Sequence, residues 1–240
     1  ALREVYEKDP AWDRPANARN QANFERVKAK LVGYIAKPSA TLRDYPESDR
    51  TVPALYARAY AYHQNARVDR ALDAADQLLA KDPDDPYFLE LKGQVLLESG
   101  RPLEALEPLR RATALTNAEP LIASLFGHAL IATEDDANFA EAERVLRAAV
   151  GRDRRNPFAW YQLGVVYAAR GDTPRARLAS AEQQVMSGQY GLALRSAQAA
   201  EHGLERGTPD WIRAQDIGMQ ARALLERQCE MERGRNCAPG

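Results

Sequence analysis

Three histidines and two cysteines are the side chains of this 240-residue chain best suited to metal binding or nucleophilic chemistry. His63, His128 and His202 lie far apart. A zinc-binding helix of the H-E-x-x-H type needs two imidazoles one turn apart with a carboxylate between them, and no pair here has that spacing. No G-x-S-x-G, no phosphate-cradling G-x-x-x-x-G-K-[ST] and no C-x-x-C occurs. Glu134-Asp135-Asp136 gathers carboxylates but reads as a solvated turn. Cys229 and Cys237 both lie near the C-terminus. They would pin the tail if bridged in an oxidising compartment, or remain two thiols. The chain is therefore read as carrying no catalytic, metal or cofactor site of its own.

Bulk properties narrow the partners. Hydrophobic residues make up 45% of the chain and charged residues 28%, and the formal net charge is −1. Such a balance offers no overall basic field for nucleic acid or an anionic membrane. No apolar run reaches the roughly 20 residues that span a bilayer as a helix. The chain opens Ala1-Leu2-Arg3, with neither an initiator Met nor a basic-then-apolar leader. It is expected to be a fragment.

The elements come from a repeat. Pro86 and Pro120 are 34 residues apart, as are Gly93 and Gly127, and Ala59 precedes Gly93 by the same step. Gly164 follows Gly127 by 37, and the surplus is expected in the polar loop 133–138. A period of 34 is the length of a tetratricopeptide unit, two antiparallel helices that must stack to bury their apolar faces. Trp160, Leu163, Gly164, Tyr167 and Ala176 resemble that family's W-x-x-L-G-x-x-Y…A pattern. Ala71, Ala105 and Ala142 are small residues at the phase of Ala176. A mid-helix glycine costs about 1 kcal/mol relative to alanine. Its recurrence at Gly93, Gly127 and Gly164 points to close helix approach in all three units. Asp85-Pro86 and Asn156-Pro157 read as N-cap followed by proline at the first helical position.

The predicted fold is all-α, a tetratricopeptide-repeat solenoid of antiparallel hairpins with flanking helices. Residues 1–51 hold an N-terminal helix and a connection. Four units occupy 52–187, irregular helices and a cap 188–228, and a disordered tail 229–240. Phe24, Val27, Leu31 and Ile35 mark the N-terminal helix, 16–35. Residues 190–202 fall in a first-helix slot by count, yet Ala193, Ala197 and Ala200 are spaced as in a second helix, and the sequence leaves that conflict open.

In stacked hairpins of this kind the first helices form a concave wall. Counting along the repeat places Tyr56, Tyr60, His63 and Gln64 there from the first unit, and Tyr87, Glu90, Gln94 and Glu98 from the second. The third unit gives Ser124 and His128, and the fourth Phe158, Tyr161 and Val165. Tyrosine offers a large apolar body with a polar tip, which suits a polypeptide partner in the groove, although such rings can instead pack on a neighbouring helix. A carboxylate clamp of the Hsp90 co-chaperone kind needs Lys and Asn where Tyr56 and Tyr60 stand. Tyr60→Ala combined with Tyr161→Ala is expected to weaken partner binding without unfolding the array.

The flanks add a wider resemblance. Residues 26–34 lead through Leu42-Arg43-Asp44-Tyr45-Pro46 into 53–59, and 85–94, 179–182 and 209–216 follow. Together they resemble the C-terminal half of bacterial periplasmic zinc metalloproteases of the β-barrel assembly-enhancing type. That family joins a gluzincin protease domain to a tetratricopeptide domain. The resemblance implies a periplasmic location, with zinc in a protease domain outside this chain. It also implies a docking role toward substrates, toward that protease domain and toward the outer-membrane protein assembly machinery. The alternative is a free-standing scaffold or co-chaperone in envelope assembly.

Overall fold

The computed structural model describes residues 17–231, the Arg19 side chain excepted. They form two compact units that divide between Pro83 and Asp84, and among them are twelve helices and no strand.

The first unit holds α1 (Ala18–Ile35), α2 (Pro38–Asp44), α3 (Val52–Gln64) and α4 (Val68–Lys81). Thr51 caps α3 by accepting from the Ala54 N–H at 3.4 Å, and Pro53 sits in its first turn. Every residue of α3 from Ala54 to Tyr62 is buried. A helix apolar on all sides must be enclosed, and α1, α2 and α4 all pack on α3. Buried Arg58 donates to the Pro46 carbonyl at 2.6 Å, and the Tyr62 hydroxyl donates to Glu47 at 2.9 Å. These bonds fasten the connection after α2 to α3. Where α1 crosses, a Cβ built on Gly33 would lie 2.7 Å from the Ala57 carbonyl oxygen and 3.0 Å from the Tyr60 Cβ. Only glycine admits so close a backbone approach. With Ala29 and Gly33 turned inward, Phe24, Val27, Leu31, Tyr34 and Ile35 face outward, each at least half exposed. The predicted apolar stripe thus marks a helix correctly but lies on its open side.

The second unit runs through α5 (Pro86–Glu98), α6 (Pro102–Leu115), α7 (Pro120–Ala132), α8 (Asp136–Arg152), α9 (Pro157–Ala169), α10 (Thr173–Met186), α11 (Tyr190–Gly203) and α12 (Pro209–Met231). Asp85, Glu119 and Asn156 cap α5, α7 and α9 through backbone N–H groups, each followed by proline. The hairpins α5–α6, α7–α8 and α9–α10 follow the period. The three surplus residues fall within the predicted segment, at 136–138, but as the first turn of α8, which has 17 residues against 14 in α6 and α10, rather than as loop.

The recurring glycines divide. A Cβ on Gly93 would lie 2.4 Å from the Leu109 Cγ, and one on Gly127 2.5 Å from the Leu146 Cγ. At Gly164 the nearest atom is the Ala179 Cβ at 3.5 Å, an ordinary contact. The facing residue in the fourth unit is Ser180 rather than leucine. Glycine is therefore required in two hairpins, where a leucine side chain fills the place of its Cβ, and not in the third.

The conflict after Gly188 resolves through α10, which belongs to two hairpins. It packs on α9 as a second helix and on α11 as a first helix. Gly188, at φ 73°, turns the chain into α11 as Gly100 and Gly171, both at φ 76°, do elsewhere, and Ala193 follows by the same five residues. From there α12 packs on α10 and α11, around Ala181, Val185, Ala197, Ile217 and Ala221. The tail from 232 onward, and with it any Cys229–Cys237 pairing, lies outside the described residues.

Candidate peptide-binding surface

The predicted groove residues of the first unit are not an open wall. Tyr56 and Tyr60 are each 1% exposed. Their rings meet edge to face at a centroid separation of 5.6 Å, and Tyr34 of α1 meets Tyr60 in the same way at 6.1 Å. Lys30 of α1 lies 5.9 Å from the Tyr60 ring centroid. Gln64 donates to the Tyr34 carbonyl, and His63 is half-buried. The cause is α1, which lies along the face that repeat counting assigns to a partner.

In the second unit the corresponding positions are largely accessible. Tyr87 is 39%, Phe158 42% and Tyr161 57% exposed. Glu98 is exposed, while Glu90, Gln94 and Val165 are half-buried. Gln94 donates to Glu98 at 2.8 Å, which orients that carboxylate. His128 stands between neighbouring first helices. Its ring meets Phe158 edge to face at 5.6 Å, and burial holds its pKa below the ordinary imidazole value against the opposing pull of Glu98. Ser124 drops out of the surface. It is 2% exposed, and its Oγ accepts from the buried Asn156 amide at 3.1 Å, tying α7 to the cap of α9. What remains is an aromatic surface with two carboxylates, Glu90 and Glu98, on α5. Such a surface can hold an extended segment through ring contacts and select basic side chains through the carboxylates.

Among the described residues no group of three or more His, Cys, Asp or Glu side chains is placed to hold a metal ion, and no helix is long and apolar enough to cross a membrane. A second concavity, which repeat counting did not predict, opens between α8, α9, α10 and α12. The five-residue step from Gly188 to Ala193 was its available signal, since that step makes α10 shared and sends α12 past α9.

Residues 56–120 and 134–185 match the tetratricopeptide repeat family. The fold is that of a tetratricopeptide-repeat protein. Among solved structures, YrrB, described as a tetratricopeptide protein with an unusual peptide-binding site, is 21% identical with a TM-score of 0.56, covering 82% of this chain and 98% of its own. MamA from Desulfovibrio magneticus RS-1 is 20% identical with a TM-score of 0.55, covering 70% and 94%. Another MamA structure is also 20% identical, with a TM-score of 0.51 and coverage of 72% and 96%. No curated protein sequence matches the chain at a significant level.

Proposed function

We propose that this tetratricopeptide chain is a polypeptide-binding module, and that it serves as the substrate- and partner-docking domain of a periplasmic zinc metalloprotease in outer-membrane protein quality control. The observation that carries the binding role is the exposure of Tyr87, Phe158 and Tyr161 on first helices that bury Phe88, Leu91, Val95, Leu163 and Val166. Glu90 and Glu98 beside them favour a segment with lysine or arginine among aromatic or aliphatic residues. The fold shared with YrrB, a protein described by its peptide-binding site, is consistent with this use.

The docking role draws on the resemblance of the flanks and on α1. Its outward stripe of Phe24, Val27, Leu31 and Ile35 offers a second domain an apolar seat. The test places a photo-crosslinking side chain at Leu31 in the protein expressed from its native gene. Crosslinks to a domain bearing H-E-x-x-H are expected. Crosslinks confined to unrelated proteins would favour the free-standing scaffold or co-chaperone and remove the protease.

A further inference from the structure

We propose that the cleft behind α9 is a second binding site, one that takes a large apolar side chain flanked by a carboxylate on a polypeptide segment; this rests on the reading of the chain as a polypeptide-binding module. The cleft has a volume of about 530 Å³, within the roughly 300–1,000 Å³ of ligand sites. All its walls belong to the second unit. The floor is apolar, made by Leu163, Tyr167 and Leu178 with Trp160 beside them. The Trp160 Nε1–H donates to the Arg154 carbonyl at 3.0 Å, which holds the indole in place. An α-helix advances about 100° per residue. Trp160, Leu163 and Tyr167 therefore lie roughly opposite Phe158, Tyr161 and Val165, so α9 separates this cleft from the groove surface.

The opening follows from the shared use of α10. Because α12 packs on α10 and α11, it forms a far bank across from α8 and leaves a cleft over α9, where Trp160 is half-buried and Leu163 and Tyr167 are buried beneath it. Ile212, 49% exposed, is the apolar rim of that bank. The two banks differ in charge. On the α12 side the cations are committed: Arg213 makes two hydrogen bonds to buried Glu182, and Arg175 reaches Asp210 at 2.7 Å and Asp172 at 3.0 Å. Asp216 adds a carboxylate to the same bank. On the α8 side Arg147 is 58% exposed with only a 3.6 Å contact to Glu143, and Arg154 makes no ion pair among the described residues. A carboxylate is thus attracted to the α8 bank while its apolar neighbour covers Trp160 and Ile212.

The test uses a short fluorescein-labelled peptide in which phenylalanine and leucine alternate with aspartate, read by anisotropy. The expected result is binding to the unaltered chain and at least about tenfold weaker binding of a twin with lysine for aspartate. Arg154→Glu should weaken the acidic peptide by about tenfold or more with an unchanged urea midpoint. Ile212→Glu should do likewise. Binding of both free-acid and amidated forms identifies side-chain carboxylates as the anion, and binding of the free acid alone identifies the chain terminus; either supports the cleft. No binding at about 1 mM peptide, or equal affinity of Arg154→Glu, Ile212→Glu and the unaltered chain, overturns the proposal. Retained binding of a lysine-and-tyrosine peptide at the groove would show that the general reading survives that failure.

Discussion

Tyr56 on α3 and Tyr161 on α9 occupy the same phase of the repeat, yet one is 1% exposed and the other 57%. The repeat sets the direction in which both side chains leave their helices. What differs is the neighbour: α1 covers the face of α3, while the face of α9 stays accessible. Phase in a repeat therefore assigns a side chain to a wall, and its neighbours, an added helix over Tyr56 or the next unit's cap at Ser124, decide whether that position meets a partner or forms core.

The sharpest break in this comparison is energetic. Tyr60→Ala removes a buried ring and should destabilise the first unit by about 3–5 kcal/mol, whereas Tyr161→Ala should stay within about 0.5 kcal/mol of the unaltered chain. Urea denaturation of the two variants measures both. This revises the expectation that the pair could be truncated without unfolding, because Tyr60 lies under α1.

A smaller effect tests the cover itself. Gly33→Ala forces a Cβ against the Ala57 carbonyl and should cost about 1–3 kcal/mol as α1 shifts. Tyrosine near-ultraviolet circular dichroism should fall with it, as the packed rings of Tyr34, Tyr56 and Tyr60 loosen. An unchanged spectrum and midpoint would mean that α1 is not held by this crossing.

The same-phase glycines give a contrast of opposite sign. Gly127→Ala drives a methyl into Leu146 and should destabilise by about 1–3 kcal/mol. Gly164→Ala meets only Ala179 at 3.5 Å and should gain up to about 1 kcal/mol from helix propensity. Equal outcomes in thermal melts would show that the Leu146 contact relaxes freely.

The smallest effect is electrostatic. Burial lowers the His128 pKa in the folded chain, so the unfolded chain takes up that proton first as pH falls. The resulting stability is fully present above the unfolded value of about 6.5 and declines as pH drops through it toward the folded value. His128→Gln should remove that component from the pH dependence of the urea midpoint.

Much of this architecture was legible in the sequence because its determinants are local. Asp85-Pro86 and Asn156-Pro157 state where helices begin, and the alanines and glycines at fixed phase state where pairs touch. The fate of the groove residues was not legible, because it depends on which face of α1 packs. Its bulky stripe suggests one face, but Gly33 permits a closer crossing on the other. Ser124 escaped for a similar reason, since its partner Asn156 lies 32 residues away and only the fold joins them. The sharing of α10 was written in Gly188 and Ala193, but it competed with a strict count that allotted every helix to one unit.

We infer that an extended polypeptide is received by the exposed first-helix faces of residues 84–231 and not by α3. The direct measurement is photo-crosslinking with a labelled lysine-and-tyrosine peptide carrying a central benzophenone, followed by mass-spectrometric mapping. The account predicts adducts on α5 and α9, near Tyr87, Phe158 and Tyr161, that disappear in the Phe158→Ala, Tyr161→Ala double variant. Adducts concentrated on α3 near Tyr56 and Tyr60, or unaffected by the double variant, would contradict it.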